Sequence, residues 1–181
     1  MFIDEEYQDI RKIIRAVQEK GHEVKTGEIY PTNPAPILVW EGKETVPQAV
    51  KWGWPKFQGS GVLINARAET AEEKNLFRKS VYTRRCVVPT TGFYEWDQEK
   101  AKYRFILPHA STLYLAGLYN EFQGERRFLI LTTEANTSVS FIHSRMPVII
   151  FREMIDTWLE DTEKAVQMLH WQQPELHIAT Q

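Results

Sequence analysis

The sequence predicts a single α+β domain dominated by antiparallel strands, and three observations support this prediction. From residue 85 onward, short runs rich in β-branched and aromatic residues alternate with turn residues. Towards both ends of the chain, apolar residues recur at helical spacing instead. No repeat, low-complexity tract or linker divides the 181 residues, a length that suits one domain with a substantial core.

The first half of the chain predicts a helix followed by loops and short strands. Asp4 is expected to cap a helix that Gly21 ends. Residues 28–36 contain three prolines and predict an irregular loop. Thr70-Ala71-Glu72-Glu73 has the form of a capping box, which predicts a helix to about Lys79. The other expected elements here are a strand at 36–40, a loop at 52–61 and a buried strand at 62–64.

The second half predicts mostly strands, closed by helices. Residue 146 precedes a proline, which disfavours the helical basin and indicates an extended segment at 146–150. The expected strands are 85–88, 92–97, 102–107, 113–119 and 127–132; a helical turn is expected within 135–142, helices at 152–159 and 162–170, and a short strand near 175–179.

Composition limits the classes of function. The formal net charge of −2 provides no bulk attraction for nucleic acid, so any DNA site must be a local basic groove. One candidate groove holds Lys74, Arg78, Lys79, Arg84 and Arg85, with a solvated surface as the alternative. A single cysteine, Cys86, excludes an intramolecular disulfide. Without a signal peptide or a bilayer-spanning run, a cytoplasmic protein with no membrane partner is expected.

A polar segment, Asn65 to Glu69, directly follows the strand expected at 62–64. If it stays extended, Asn65, Arg67 and Glu69 share one face and the two alanines share the other. Three convergent polar groups beside small residues suit a surface that a ligand approaches closely. The alternative is a polar loop that leads into a capped helix.

Glu95 lies among aromatic residues on the strand expected at 92–97. A carboxylate partly removed from water has a raised pKa, which suits proton transfer near neutral pH. An exposed strand glutamate is the alternative.

His143 lies at an expected helix-to-strand junction, next to Arg145 in the chain order His143-Ser144-Arg145. Imidazole titrates near neutral pH, so His143 is a candidate proton shuttle. The alternative is a hydrogen-bonded histidine with a structural role.

Trp52 and Trp54 lie in the loop expected at 52–61. Exposed there, they would stack on unpaired bases, which stabilises binding by about 1–3 kcal/mol per base. Packing in the core is the alternative.

Several other sites are excluded by pattern. Gly59-Ser60-Gly61 lacks the Gly-Lys-Ser/Thr of a phosphate loop, and no Gly-x-Ser-x-Gly elbow is present. The five histidines show no metal-ligand spacing. We therefore expect neither a metal nor a cofactor.

In their order along the chain, four segments resemble the signature of the SOS response-associated peptidase (SRAP) family. These segments are Asn65 to Thr70, Arg84-Arg85-Cys86 with Pro89, Gly92 to Trp96, and His143 to Pro147. The segments Tyr30 to Pro36, Trp52 to Pro55 and Leu115 to Tyr119 are also similar to the family, so the resemblance covers nearly the whole chain.

The resemblance implies a barrel-like, mostly β fold with flanking helices and a positively charged cleft for single-stranded DNA. It implies a DNA-damage (SOS) function: the amine of an N-terminal cysteine attacks the aldehyde of an abasic site, and the thiol closes a thiazolidine crosslink. It also implies self-processing peptidase activity, of hydrolase or lyase type. The partner would be single-stranded DNA with abasic sites, bound by a monomer.

The resemblance also implies roles for individual residues. Asn65 would hold the N-terminal residue and the sugar, Glu95 would transfer protons, and His143 would act as general acid and base on the opened sugar. Contacts to phosphates or bases would come from Arg67, Trp52, Trp54 and Arg145.

The chain departs from the family at its start. Family members begin Met-Cys-Gly-Arg followed by an aromatic residue, whereas this chain opens Met1-Phe2-Ile3-Asp4, as if Met-Cys-Gly-Arg had been dropped and Phe2-Ile3 retained. Cys86 is no substitute, because its amine is part of a peptide bond. Either the chain is truncated, which we favour, or it is a variant that retains only the supporting residues. Two further functions stay open: a general peptidase, and a non-catalytic single-stranded nucleic-acid binding module.

Overall fold

Strand follows strand through the middle of the computed structural model, which describes residues 1–179. The strands are β1 (Phe2–Ile3), β2 (Gly27–Glu28), β3 (Pro34–Glu41), β4 (Glu44–Trp52), β5 (Trp54–Pro55), β6 (Val62–Leu63), β7 (Asn65–Arg67), β8 (Arg85–Thr90), β9 (Phe93–Trp96), β10 (Lys102–Ile106), β11 (Leu113–Phe122), β12 (Glu125–Glu134), β13 (Arg145–Pro147) and β14 (His177–Ile178). The α-helices are α1 (Gln8–Gln18), α2 (Ala68–Ala71), α3 (Asn75–Thr83), α4 (Ile155–Glu160) and α5 (Thr162–Met168), and a 3-10 turn spans Arg152–Met154.

Five strands form a closed barrel at the centre of the fold. They pair in the order β11-β8-β3-β4-β12, and β12 pairs back onto β11 to close the ring. Every pairing around the ring is antiparallel except that between β12 and β4. The short strand β7 also pairs with β12 in parallel, and β13 pairs with β12 antiparallel. The prediction of a mostly antiparallel, barrel-like α+β fold with flanking helices is confirmed.

Alternating side chains on the barrel strands separate into two hydrophobic clusters. On β8, Cys86 and Val88 belong to one cluster and Val87 to the other; on β12, Phe128 and Ile130 face away from Leu129. This is the period of two that a strand imposes on its side chains. The first cluster draws residues from all five barrel strands and is the barrel core, whereas the second also contains residues of α3, α4 and α5.

Arg85 joins the helices to the barrel and is itself 5% exposed. Its guanidinium donates hydrogen bonds to the carbonyl oxygens of Val81 and Tyr82 at the end of α3, and to those of Trp158 and Leu159 in α4. A cation is favoured at the C-terminal end of a helix, where carbonyl groups lack partners. Arg85 is therefore a structural residue and does not belong to a basic groove, which corrects that part of the expectation from sequence.

Most of the expected elements are present. The helix near the N-terminus, the strands expected from residue 85 to residue 132 and the two helices after residue 151 are confirmed as α1, β8 to β12, α4 and α5. The extended segment that follows His143 is confirmed as β13, and Ile149 then forms a bridge with Leu115. None of the helices within residues 1–179 is long and apolar enough to cross a lipid bilayer.

The barrel strand β4 was not expected, and the loop predicted at 28–36 is too long, since β3 begins at Pro34. Pro47 has no backbone N–H to donate, which usually places proline at a sheet edge. In the structure β4 pairs with β12 only at Lys51 and Trp52, so the side of β4 at Pro47 is free of a strand partner. The closed barrel thus tolerates a proline in one of its strands.

Both predicted helix caps are wrong. Helix α1 begins at Gln8 after Tyr7, and Asp4 instead accepts a hydrogen bond from the backbone N–H of Glu6. Thr70 was expected to cap a helix, but it lies inside the helical turn α2, which begins at Ala68 and buries the side chains of Ala68 and Ala71. The following helix, α3, begins at Asn75 after Lys74.

Candidate functional site

A pocket of about 230 Å³ opens beside the barrel. Its apolar walls include Trp52, Ile64, Phe93 and Ile130, all of which belong to the barrel core or pack against it. Its polar lining residues include Glu28, Tyr30, Asn65, Glu95 and Thr132. Two of the three predicted catalytic residues, Asn65 and Glu95, therefore line one pocket.

Asn65 reaches this pocket because β7 pairs with β12, with Asn65 opposite Ile130 and Arg67 opposite Thr132. Ala66 is buried and Asn65 and Arg67 are exposed, so the extended segment has the two faces that the sequence predicts. The strand ends at Arg67, and Glu69 lies in α2. Arg67 makes no ion pair within the described part of the chain, so its charge is available at the surface.

Glu95 lies on β9 opposite Tyr103 of β10, with its side chain 23% exposed. Burial raises the pKa of this carboxyl, and the attraction of His143 and of the Met1 amine opposes that rise without cancelling it. The Oε2 atom of Glu95 lies 3.7 Å from Nδ1 of His143. The structure thus brings the two predicted proton-transferring groups together.

His143 lies in the turn between β12 and β13, with its side chain 43% exposed. Its backbone N–H donates to the carbonyl oxygen of Val139. Its Nδ1 atom lies 3.2 Å from the backbone nitrogen of Arg145 and 3.1 Å from the carbonyl oxygen of the same residue. The backbone of Arg145 therefore fixes the imidazole, which leaves Nε2 as the other ring nitrogen for proton transfer.

Arg145 is bound by Glu69. Its Nη1 and Nη2 donate to Oε1 and Oε2 of Glu69 at 2.9 and 2.8 Å, and Nη2 also donates to the carbonyl oxygen of Thr132. These hydrogen bonds lower the pKa of Glu69 to about 2. A bidentate pair of this kind is a strong and specific contact. A contact from Arg145 to DNA stays a prediction, and it would have to compete with this pair.

The two tryptophans are packed inside. Trp54 is 1% exposed, lies against Phe77 and Phe122, and donates from Nε1 to the carbonyl oxygen of Arg127. Trp52 is stacked on Phe128 but also forms part of the pocket wall. This arrangement matches the core-packing alternative. Stacking on a base therefore has no support for Trp54 and stays a prediction for Trp52.

Lys102 is a residue of this site that the sequence did not indicate. The ammonium group lies 3.9 Å from the centroid of the Tyr94 ring and forms an ion pair with Glu28. A lysine over an aromatic face is stabilised by the ring quadrupole. Lys102 reaches this place because β9 pairs with β10 in a register that sets Lys102 opposite Trp96. Aligning the two predicted strands as a hairpin could have indicated this register.

Met1 also lines the pocket, and its amine donates to the carbonyl oxygen of Ile29 at 3.2 Å. Burial lowers the pKa of this amine to about 6. Cys86, in contrast, is fully buried on β8, and burial strongly raises the pKa of its thiol. A protonated, inaccessible thiol is a poor nucleophile.

No group of three or more metal-ligating side chains occurs within residues 1–179. The pocket and its surroundings offer a carboxyl with a raised pKa, an imidazole, an amide and nearby cations.

Solved structures resemble this fold. A protein from Bordetella bronchiseptica superimposes with a TM-score of 0.74 at 21% identity, covering 87% of this chain and 88% of that one. A protein from Bacteroides thetaiotaomicron gives a TM-score of 0.69 at 23% identity, covering 93% and 88%. At these identities the likeness establishes the fold alone.

Relatives in sequence carry a common name. The abasic site processing protein YoqW of Bacillus subtilis is 35% identical over 153 residues, covering 74% of this chain and 68% of the relative. YoaM of the same organism, also an abasic site processing protein, is 31% identical over 154 residues and covers 77% and 68%. The abasic site processing protein HMCES of Xenopus tropicalis is 28% identical and covers 59% and 41%. The family model described as SOS response associated peptidase (SRAP) matches residues 2–180. The chain therefore belongs to the SRAP family.

Proposed function

We propose that this protein recognises abasic sites in single-stranded DNA at the pocket, and that a form with the family's N-terminal cysteine shields them there by a covalent crosslink. The observation that carries the proposal is the Glu95–His143 pair, 3.7 Å apart, in which the carboxyl that lines the pocket has a raised pKa. A carboxyl whose pKa is raised by burial in a cleft, beside a specific partner, marks a candidate site of proton transfer. The names of the relatives indicate the substrate.

The size of the pocket supports a sugar without a base. Its 230 Å³ is less than the ~300–1,000 Å³ typical of pockets that hold drug-sized ligands. An abasic sugar needs less room than a complete nucleoside, and its free hydroxyl and its aldehyde match the amide of Asn65 and the carboxyl of Glu95. Arg67 at the surface suits a neighbouring phosphate.

The proposed covalent step needs an amine and a thiol on adjacent carbons, as an N-terminal cysteine provides. The amine adds to the aldehyde carbon of the opened sugar, and water leaves to give an imine. The S–H group then adds across the C=N bond, so that sulfur bonds to carbon and nitrogen gains the proton. Glu95 would move the protons of these additions, and His143 would protonate the ring oxygen as the sugar opens.

The self-processing activity implied by the family resemblance is proposed for the same pocket. Met1 lies in its wall, so the peptide bond of any leader joined to residue 1 would lie close to the pocket. Intact-mass measurement of a form in which a leader precedes Cys-Gly-Arg in place of Met1, and of its Glu95→Gln variant, tests this, with loss of the leader expected only for the former. Equal processing of both would remove Glu95 from this role.

Binding of the chain to DNA is the direct test of recognition. Fluorescence anisotropy would compare a labelled single strand containing one abasic site with the same strand undamaged, over a series of salt concentrations. We expect tighter binding to the abasic strand at every concentration. Equal affinity for both strands, falling together as salt rises, would contradict the proposal and favour a non-catalytic binding module.

A further inference from the structure

A second groove lies beside the pocket. The end of β9, the turn after it and the turn before β13 line this groove, which has a volume of about 670 Å³. Its two large aromatic side chains are open to solvent: Trp96 is 47% exposed and Phe141 is 64% exposed. Single exposed aromatics are common on protein surfaces. Two of them in one groove beside a site form a surface for a flat, apolar partner.

The groove and the pocket are neighbours. Trp96 lines both of them. His143 lines the groove, and its imidazole lies 3.7 Å from the carboxyl of Glu95, which lines the pocket. A molecule that places one unit in the pocket would therefore bring its next unit to the groove.

The charges around the groove select the kind of partner. Asp97 and Glu99 lie along it. The Asp97 carboxylate is held in place by hydrogen bonds from the backbone N–H groups of Glu99 and Ala101, and it also accepts one from the Tyr103 hydroxyl. Two fixed or exposed carboxylates repel a phosphate and leave a neutral ring unaffected. The Lys102 ammonium lies 5.8 Å from the centroid of the Trp96 ring, but it is paired with Glu28 and does not line the groove. The two carboxylates therefore favour a nucleobase over the sugar-phosphate backbone in the groove.

We propose that this groove binds the nucleobase directly next to the abasic nucleotide, with the base stacked on Phe141 and Trp96. The proposal rests on the proposed function, since it assumes that the pocket holds the abasic sugar. Its physical basis is the sequence-tolerant stacking of bases on aromatic side chains. The groove would then supply the affinity that a sugar without a base cannot supply.

The test measures affinity by anisotropy for three single strands: undamaged, with one abasic site, and with three consecutive abasic sites. The last strand removes the neighbouring bases but keeps the backbone. The variants are Phe141→Ala, Phe141→Tyr as the conservative change, and Phe151→Ala as the control, because Phe151 is 39% exposed and lines a different cavity.

We expect Phe141→Ala to weaken binding to the strand with one abasic site by about 5- to 100-fold, the range for loss of one stacked base. Binding to the strand with three abasic sites should not change, Phe141→Tyr should retain most of the affinity, and Phe151→Ala should have no effect. Equal weakening on both strands, or no weakening on either, would overturn the proposal. The proposal would also be overturned if the wild-type protein self-associated, if only Phe141→Ala abolished this self-association, and if the DNA affinity of that variant were unchanged.

Failure of the proposed function gives a different result. In that case the wild-type protein would bind the undamaged strand as tightly as the strand with one abasic site. The contribution of the groove is measured by a different comparison, between the strand with one abasic site and the strand with three. This comparison is made in the wild-type protein and in Phe141→Ala.

Discussion

At the scale of single residues, Glu69 and Arg145 join α2 to the strand that follows His143. The carboxylate also accepts hydrogen bonds from the Thr133 hydroxyl and the backbone N–H of Glu134. The backbone of Arg145 contacts the imidazole of His143, so the pair positions a candidate catalytic group indirectly.

The low pKa of Glu69 predicts an acid-dependent contribution to stability. The folded pKa of about 2 lies below the ordinary value of 4.5, so the folded state binds this proton less readily than the unfolded state does. The contribution is therefore complete above about pH 4.5 and is lost as the pH falls towards 2. Denaturant unfolding of the wild-type protein and of Glu69→Gln should give a stability difference at pH 7 that shrinks as the pH falls.

Solvent screens this pair, because the Glu69 side chain is 40% exposed, so the difference at pH 7 should be modest. A difference that stays constant from pH 7 to pH 2 would contradict the assignment of the lowered pKa to the ion pair. Glu73→Gln, at an exposed glutamate of the same segment that has no ion pair among the described residues, is the matched control.

Glu95 predicts the opposite sign. Burial raises its pKa, so the stability that the neutral carboxyl contributes is present at low pH and is lost as the pH rises through the folded pKa. Replacing Glu95 by the neutral, isosteric glutamine should therefore stabilise the protein at pH 7 by on the order of 1 kcal/mol, a typical size for a single substitution. Thermal unfolding at pH 7 and pH 4 measures this, and a destabilised Glu95→Gln variant at pH 7 would contradict it.

At the scale of elements, Gly53 is the link between β4 and β5. Its φ of +108° is a conformation that other residues rarely adopt, and an added Cβ would lie 2.7 Å from a methyl carbon of Val62. Gly53→Ala should destabilise the protein by about 1–3 kcal/mol, through backbone strain and overpacking. Urea unfolding measures this.

Gly59→Ala is the control for Gly53→Ala. Gly59 also has a positive φ, of +77°, but nothing lies within 4 Å of an added Cβ there. The control should therefore carry the backbone cost without the steric cost. Equal destabilisation of the two variants would show that the contact with Val62 does not matter.

Elements with a local pattern could be predicted from the sequence, and those that depend on distant partners could not. Strand β8 was predicted because Arg85 to Val88 carries a local β pattern. The capping box at Thr70 obeyed a local rule, but the burial of Ala68 and Ala71 placed the helical turn elsewhere. Strand β4 was missed because Pro47 argues locally against a strand.

The candidate site shows the same division. Asn65, Glu95 and His143 were identified because their segments stand out by residue type and order. Lys102 was missed because its place depends on the register between β9 and β10. The capture of Arg145 by Glu69 joins residues 76 apart in sequence, and no local pattern indicates it.

At the scale of the whole molecule, a closed barrel with a formal net charge of −2 offers few cations for the DNA binding that we propose. Arg67 is exposed and is proposed to contact a phosphate. Arg67→Gln should weaken binding to damaged and undamaged strands alike and reduce the slope of log affinity against log salt by about 0.7–1. A loss confined to the abasic strand would instead place Arg67 at the lesion.

The barrel closes through long-range pairing, and this closure brings β7, β9 and the turn before β13 to one place. We propose that the pocket formed there supports covalent capture of an abasic site. The most direct test incubates an abasic single strand with this chain and with a form in which Met-Cys-Gly-Arg replaces Met1, and resolves the products on a denaturing gel.

We expect a slowly migrating DNA–protein band from the rebuilt form only. We also expect Glu95→Ala or His143→Ala in that form to slow its appearance by about 10²- to 10⁴-fold, the usual contribution of general acid–base catalysis. A band from both forms would point to another nucleophile, such as the Met1 amine. No band from the rebuilt form, or unchanged rates in both variants, would contradict the account.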